Sequence, residues 1–382
     1  MKVVYATQPL PQSITRSIFL AGPTPRGPEA ESWRPHAISL LQEIGFDGTV
    51  FVPESEDGIW RQSYTDQVEW EELCLNAADC IVFWIPRNLE TMPAFTTNIE
   101  FGAWQSSGKC IVGAPEDAPK MSYIKHYVEK SRGIFFNSLI DTLKEACRFT
   151  QKGAERWGGA RMVPLHVYNT PHFQNWFTAL KEADNRLDDA RLLWNFRVGK
   201  QLDYPLFWAM QVNVHVTREN RNKTNEVIVS RPNISSIVAW HKKGSTILET
   251  EVCMVEEFRS PVTSWDGFVL ELPGGSSPKP EESPQSVAAK EFEEETGLKL
   301  PEDRFALIGT RQLASTSITH SAALFGVELS LPEIEFLKTQ QGVPHGEDGS
   351  SERTYVRVLS FAEILASGKC DWANLGMILS SI

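Results

Sequence analysis

Cysteine is scarce and scattered. The 382-residue chain has six, Cys74, Cys80, Cys110, Cys147, Cys253 and Cys370. No two form a C-x-x-C pair, and no histidine stands near them at zinc-ligand spacing. This argues against a disulfide framework and for reduced thiols in a cytoplasm. Basic residues are also short: Lys plus Arg is 37 against 49 for Asp plus Glu, a net charge of -12. With no basic run to override that total, a nucleic acid is not an expected partner. The opening MKVVYATQPLPQS has no signal-type apolar region, and no apolar run is long enough to span a bilayer, so no membrane association is expected. Internal repeats and long low-complexity tracts are missing too. What remains is the 41% hydrophobic, 23% charged composition of a globular chain, long enough for two or three domains.

The first 150 residues alternate strand and helix signals. RSIFLAG (16–22), TVFVPE (49–54), DCIVFWIP (79–86) and KCIVGAP (109–115) read as strands. SWRPHAISLLQEIGF (32–46), YTDQVEWEELCLNAA (64–78) and NIEFGAWQSSG (98–108) read as helices between them. This alternation predicts an α/β domain, a parallel sheet flanked by helices. Ligands of such sheets sit beyond the carboxyl ends of the strands. That edge collects Gly22, Pro23 and Arg26 after the first strand and Arg87 after the third. Residues 151–205, with HFQNWFTALKEADNRLDDARLLWNF, read as a helical connector carrying Trp176, Phe177, Leu180, Leu187 and Leu192 as its apolar stripe. From 206 to 382 the texture is β-rich, with one embedded helix and a closing one, predicting an α+β domain.

The embedded helix lies in AAKEFEEETGLKL (288–300). Glu291, Glu294 and Glu295 fall at i, i+3 and i+4, on one face, where like charges repel. A solvated acidic face is one reading. The other is a divalent cation, which turns the repulsion into attraction. The context favours the cation: Gly274-Gly275 closes a strand, Glu282 lies in the loop, and Gly297 ends the helix. GGSSPKPEESPQSVAAKEFEEETGL resembles the Nudix box of the Nudix hydrolases, with Lys290 where that family usually has Arg. The resemblance implies a Nudix-fold domain over 206–382. It would hydrolyse a nucleoside diphosphate linked to a group X, with Mg2+ or Mn2+ held by Glu291, Glu294 and Glu295. Glu294 would also be catalytic, and Gly275 and Lys290 would meet substrate. The segment GEDGSSERTYVRVLSFAEILASGKCDWAN resembles the C-terminal part of ADP-ribose and sugar-nucleotide pyrophosphatases. It implies a metal- or water-assisting role for Glu352, which otherwise reads as a loop glutamate.

In FTTNIEFGAW (95–104), Glu100 follows Thr97 at capping-box spacing. It could simply cap its helix. It also stands near the ligand edge, where the helix dipole favours an ionised carboxylate, as attack on a sugar C1′ requires. IFLAGPTPR, ADCIVFWIP, AFTTNIEFG and GKCIVGAPEDAPKMSYI together resemble the nucleoside 2-deoxyribosyltransferase-like family. The resemblance implies Glu100 as the nucleophile, Asp79 as an assistant at the base, and Gly22, Pro23, Arg26, Arg87 and Asn98 around the substrate. It also implies a homo-oligomer. Asp79 reads equally well as a strand-start residue facing solvent.

The whole reads as a cytoplasmic, bifunctional enzyme acting on a small nucleotide or nucleoside. One domain would cleave or transfer an N-glycosidic bond, and the other would hydrolyse a pyrophosphate with metal. NAD-like and ADP-ribose-like molecules contain both bonds. Two alternatives stand: a nucleotide sensor with a non-hydrolysing Nudix-like domain, and a Nudix hydrolase with a degenerate first domain.

Overall fold

A computed structural model describes residues 1–27, 29–57, 64–277, 282–346 and 353–382. The chain divides into two compact units, Met1–Ser230 and Arg231–Ile382. Among the described residues, no helix is long and apolar enough to cross a membrane. All six cysteines are unpaired thiols.

Unit 1 runs β1 (Lys2–Tyr5), β2 (Ser13–Ile14), β3 (Ser17–Ala21), α1 (Arg34–Ile44), β4 (Thr49–Val52), α2 (Tyr64–Ala77), β5 (Cys80–Trp84), α3 (Phe95–Trp104) and β6 (Cys110–Gly113). It continues through α4 (Ser122–Lys130), β7 (Phe135–Phe136), α5 (Leu139–Phe149), β8 (Arg156–Trp157), α6 (Leu165–Tyr168), α7 (Pro171–Glu182), β9 (Arg186–Val198), β10 (Tyr204–Val216) and β11 (Arg221–Ser230). The main sheet has the order β1-β4-β3-β5-β6-β7, and its pairs are parallel. Every residue of β3, β4 and β5 is buried, because both faces of the sheet are covered. Side chains alternate between the two cores with the period of a strand. Ile81 and Phe83 of β5 join one cluster with Cys74 and Leu75 of α2 and Phe101 of α3. Val82 and Trp84 join the other with Ala37 and Leu41 of α1 and Leu143 of α5. The α/β expectation for the N-terminal part is met.

The connector departs from its helical reading. Helix α7 ends at Glu182, and Asp184 adopts a left-handed φ of 57°. The stretch RLDDARLLWNFRV is strand β9, not helix, in an antiparallel sheet of order β11-β10-β9. The β9–β10 ladder shifts register at several points, and such bulges erase the strict alternation that marks a strand. Long-range pairing has overridden the helical propensity of Leu, Arg and Ala. Residues 206–230 belong to unit 1, where the sequence reading joined them to the second domain. Trp208 and Met210 lie in the same core cluster as Ile81 and Phe83.

Two charged side chains pin the amino-terminal edge of the main sheet. Lys109, 1% exposed, donates to Leu75 O at 2.6 Å and Asn76 O at 3.1 Å, the free carbonyls at the end of α2. Burial lowers its pKa to about 8. Asp79 is also 1% exposed. It takes two hydrogen bonds from Arg156 at 2.7 and 2.6 Å, one from Leu165 N at 2.9 Å and one from Ser17 Oγ at 3.0 Å.

Unit 2 runs β12 (Ile234–His241), β13 (Glu251–Phe258), β14 (Phe268–Glu271), β15 (Gly274–Gly275), α8 (Pro284–Thr296), β16 (Ala306–Gln312) and β17 (Ser321–Glu328). Then follow α9 (Leu331–Thr339), β18 (Pro344–His345), β19 (Thr354–Ser360), α10 (Phe361–Ser367) and α11 (Trp372–Ser381). The sheet order is β16-β17-β12-β13-β19-β18, with β14 on β13 and β15 on β12. Only the β12–β17 pair is parallel among the described strands. Helices α8 and α9 supply Ala288, Phe292, Ile334 and Leu337 to one core. Phe361, Ile364 and Ile378 of α10 and α11 fill the other. This is a mixed-sheet domain.

Removing one partner of a buried ion pair strands the other charge. Asp79→Ala should therefore lower unfolding stability by about 3–5 kcal/mol, measured by urea denaturation.

Candidate functional site

The carboxyl edge of the parallel sheet is organised around Arg34, which is 1% exposed. Its Nε donates to Leu20 O at 3.0 Å and its Nη2 to Gly22 O at 2.7 Å. Its Nη1 reaches Thr24 Oγ1 at 3.1 Å and Glu54 Oε1 at 2.5 Å. Ser32 Oγ holds Glu54 from the other side, at 2.8 Å. Pro23 is buried, and its carbonyl accepts from Trp33 Nε1 at 3.3 Å. Gly22 has a φ of 152°, and a Cβ there would lie 2.2 Å from Trp84 O. Only glycine lets the chain leave β3 so close to the end of β5.

Arg87 and Asn98 come together on this edge. Arg87 Nη2 donates to Asn98 Oδ1 at 2.5 Å and Nη1 to Lys120 O at 2.9 Å. Burial lowers the Arg87 pKa, and its Nε is buried with no hydrogen-bond partner among the described residues. Arg26 is exposed, with its guanidinium 5.2 Å from the Phe95 ring centroid.

Glu100 stands on α3 near Glu71 and Arg34. It does not cap its helix: the N-cap is Ala94, with a φ of 62° and no capping side chain. Thr97 Oγ1 is buried without a hydrogen-bond partner among the described residues, so the capping-box reading fails. The expected permanently ionised carboxylate needs correcting as well. Burial first, and the Glu71 charge second, push the Glu100 pKa to about 7, with Arg34 pulling the other way. Glu71 is itself raised, mainly by burial, while Gln67 donates to it at 2.7 Å. Two carboxyl groups in one partly desolvated site cannot both ionise freely.

Asp79 is not part of this group. It precedes β5, at the opposite end of the strands, and Arg156, Leu165 and Ser17 engage its oxygens. Its role is structural, and it is neither exposed nor placed to assist at a base near Glu100. Sequence reasoning missed Arg34, Glu54 and Glu71. The crowding of Glu69, Glu71 and Glu72 on α2 was the available signal for Glu71, by the same like-charge argument used for residues 288–300.

In unit 2, α8 begins at Ser283, whose side chain accepts from Ser286 N, and stops at left-handed Gly297. Its acidic face meets β15. Gly274 N donates to Glu295 Oε2 at 2.8 Å. A Cβ on Gly275 would lie 2.5 Å from the Glu291 carboxylate. Glu294 is turned toward Lys290, 3.5 Å away. These oxygen donors suit Mg2+ or Mn2+ in kind. Among the described residues, no three His, Cys, Asp or Glu side chains gather as a metal-holding group. Glu352 lies outside the described residues.

Residues 15–118 match the family model described as nucleoside 2-deoxyribosyltransferase like. That stretch is a nucleoside 2-deoxyribosyltransferase-like domain, which points to nucleoside metabolism. It holds Gly22, Arg34, Glu54, Glu71, Arg87, Asn98 and Glu100. No Nudix family model matches the C-terminal part. Among curated proteins, no sequence matches the chain.

The Glu100 pKa predicts a stability effect. Its usual value is 4.5 and its folded value about 7, so the folded state binds that proton more tightly. Stability falls as pH rises between those values and is flat above them. Glu100→Gln cannot ionise and escapes the loss. It should be more stable than the parent by on the order of 2 kcal/mol near pH ~8, a figure reduced for partial solvent access, and lose that advantage below pH ~4.5. Urea unfolding at both pH values measures this.

The two glycines of β15 should differ. In Gly274→Ala the Cβ meets the Ser235 carbonyl oxygen at 2.2 Å, a backbone atom, and should cost more than about 3 kcal/mol. In Gly275→Ala it meets the mobile end of Glu291, and the cost in denaturant unfolding should stay below about 1 kcal/mol.

Proposed function

We propose that unit 1 cleaves or transfers an N-glycosidic bond of a nucleoside-type substrate, with Glu100 as nucleophile. The observation that carries this reading is a half-buried glutamate, poised near neutrality beside Glu71 and Arg34, at the carboxyl edge of a nucleoside 2-deoxyribosyltransferase-like sheet. The ionised Glu100 oxygen attacks C1′. The N-glycosidic bond breaks, and its electron pair leaves with the base, which takes up a proton. The resulting glycosyl ester on Glu100 is then opened by water, giving the free sugar, or by a second base, giving an exchanged nucleoside. Glu71 sets how much of Glu100 is ionised, and Arg34 favours the charged form. Arg87, which fixes Asn98 through its Oδ1, leaves the Asn98 amide N–H2 to donate, and Arg26 presents an exposed cation beside Phe95, to the rest of the substrate.

Unit 2 is read as a pyrophosphohydrolase of the Nudix type, acting on a nucleoside diphosphate linked to a group X. Support comes from Glu291 and Glu295 set against Gly274-Gly275, and from the strand–glycine–helix order that puts them there. Glu291, Glu294 and Glu295 would hold Mg2+ or Mn2+. Bound there, the ion would neutralise charge on the pyrophosphate and acidify a water molecule. Glu295 anchors the helix to the glycine strand, and Lys290 offers a positive charge beside Glu294. ADP-ribose-like and NAD-like molecules, which contain both bonds, are the substrates that suit both units.

Product analysis by mass spectrometry tests both readings. The panel is ADP-ribose, NAD, sugar nucleotides, nucleosides and nucleoside monophosphates, with Mg2+. Free base should disappear only in Glu100→Ala. Nucleoside monophosphate should disappear only in Glu294→Gln or with a chelator. Nucleotide binding without any product would leave a sensor in place of an enzyme. The rate of base release should rise with pH through about 7, and Glu71→Gln, which removes the like charge, should move that rise to lower pH.

A further inference from the structure

Unit 1 contains a cavity of about 640 Å³, a volume that accommodates a nucleotide-sized molecule. Its lining comes from the end of α3, the strands β6 and β7, the end of α4 and the segment after it, the end of α5 with Glu145 and Arg148, α6, and the turn joining β9 to β10 with Asp203. Gly22, Arg34, Glu71, Arg87 and Glu100 do not line it.

Two of its side chains lack what their chemistry calls for. Arg197 lines the cavity with its guanidinium packed on Gly108, where an added Cβ would come within 2.9 Å of it. Its Nη1 donates to Leu202 O at 3.1 Å. Among the described residues, no carboxylate pairs with it. A desolvated guanidinium without a counter-ion favours an anion, and phosphate is the one its fork fits best. His166 also lines the cavity, and among the described residues neither of its ring nitrogens has a hydrogen-bond partner. Burial and the charges of Lys109 and Arg197 hold its pKa down to about 3, so the ring is neutral, with one donor and one acceptor. A half-turn of the ring exchanges each nitrogen with a carbon in the same outline, which lets either edge meet a ligand. Phe149 lies against His166, with ring centroids 6.5 Å apart, and Tyr204 is a further aromatic in the lining.

We propose that this cavity is a second ligand site, separate from Glu100, for a nucleoside monophosphate. The phosphate pairs with Arg197. The base lies among the aromatic side chains and presents its donor–acceptor edge to His166.

The test is calorimetric titration of the full chain with AMP, GMP, CMP and UMP, and with inorganic phosphate and benzoate as controls. At least one nucleoside monophosphate should bind. Arg197→Gln and His166→Leu should each weaken it by about ten-fold or more, the loss of one charge-assisted or buried hydrogen bond. Glu100→Gln should leave it unchanged. Side-chain 15N resonances of His166 in the unaltered protein should shift on binding, a readout independent of how the variants fold. The proposal is overturned if no monophosphate binds. It also fails if binding ignores Arg197→Gln and is silent at His166, or if phosphate or benzoate binds as tightly as the nucleotide.

Discussion

Arg34 places a full positive charge under the loop that leaves β3, and the rest of the carboxyl edge is built on it. Its hydrogen bonds fix Leu20, Gly22, Thr24 and Glu54 in one arrangement. Hydrogen bonds to a charged group contribute about 1.5–3 kcal/mol each when geometry is good. The same charge is felt by Glu71 and Glu100. One buried cation thus fixes the shape of the loop and partly offsets the rise that burial gives the carboxyl groups beside it. The same Gly22 whose carbonyl Arg34 holds is the residue that passes close to the end of β5.

The two units contain the same tension, carboxyl groups crowded together, between α2 and α3 in unit 1 and along α8 in unit 2, and resolve it differently. In unit 1 the crowding is relieved by a proton: Glu100 and Glu71 are both shifted toward their neutral forms. In unit 2 it is relieved by local partners. Glu295 accepts a backbone N–H and Glu294 faces Lys290. Neutralisation by protons suits a group that must change its charge during a reaction. Fixed donors hold the carboxylates in one orientation.

Much of this was legible in the sequence. The buried strands announced themselves because a sheet covered on both faces needs unbroken apolar runs, as in CIVFW. Helix α8 was bounded by residues with one physical meaning each, a capping Ser283, Pro284 and left-handed Gly297. Glu100 was visible as an isolated carboxylate among apolar neighbours. Its acidity was not, because that depends on Glu71 and Arg34, which only the fold brings near. Asp79 misled because its partner Arg156 is distant in the chain, and an ion pair of that range leaves no local pattern. The β9 strand was misread because its bulges and helix-forming residues conceal a pairing that exists only with β10.

The core that contains Ile81 and Phe83 also contains Phe173, Leu187, Trp208 and Met210. The segment matched by the family model ends at residue 118, well before them. The unit of ancestry and the unit of folding therefore do not coincide in this chain. Cut out at its family boundaries, the first segment would keep α2 and α3 against Ile81 and Phe83 but lose Phe173, Leu187, Trp208 and Met210 from that core and Leu143 from the other. The later hairpin completes that core, and an excised domain that keeps the core whole extends to the end of β11.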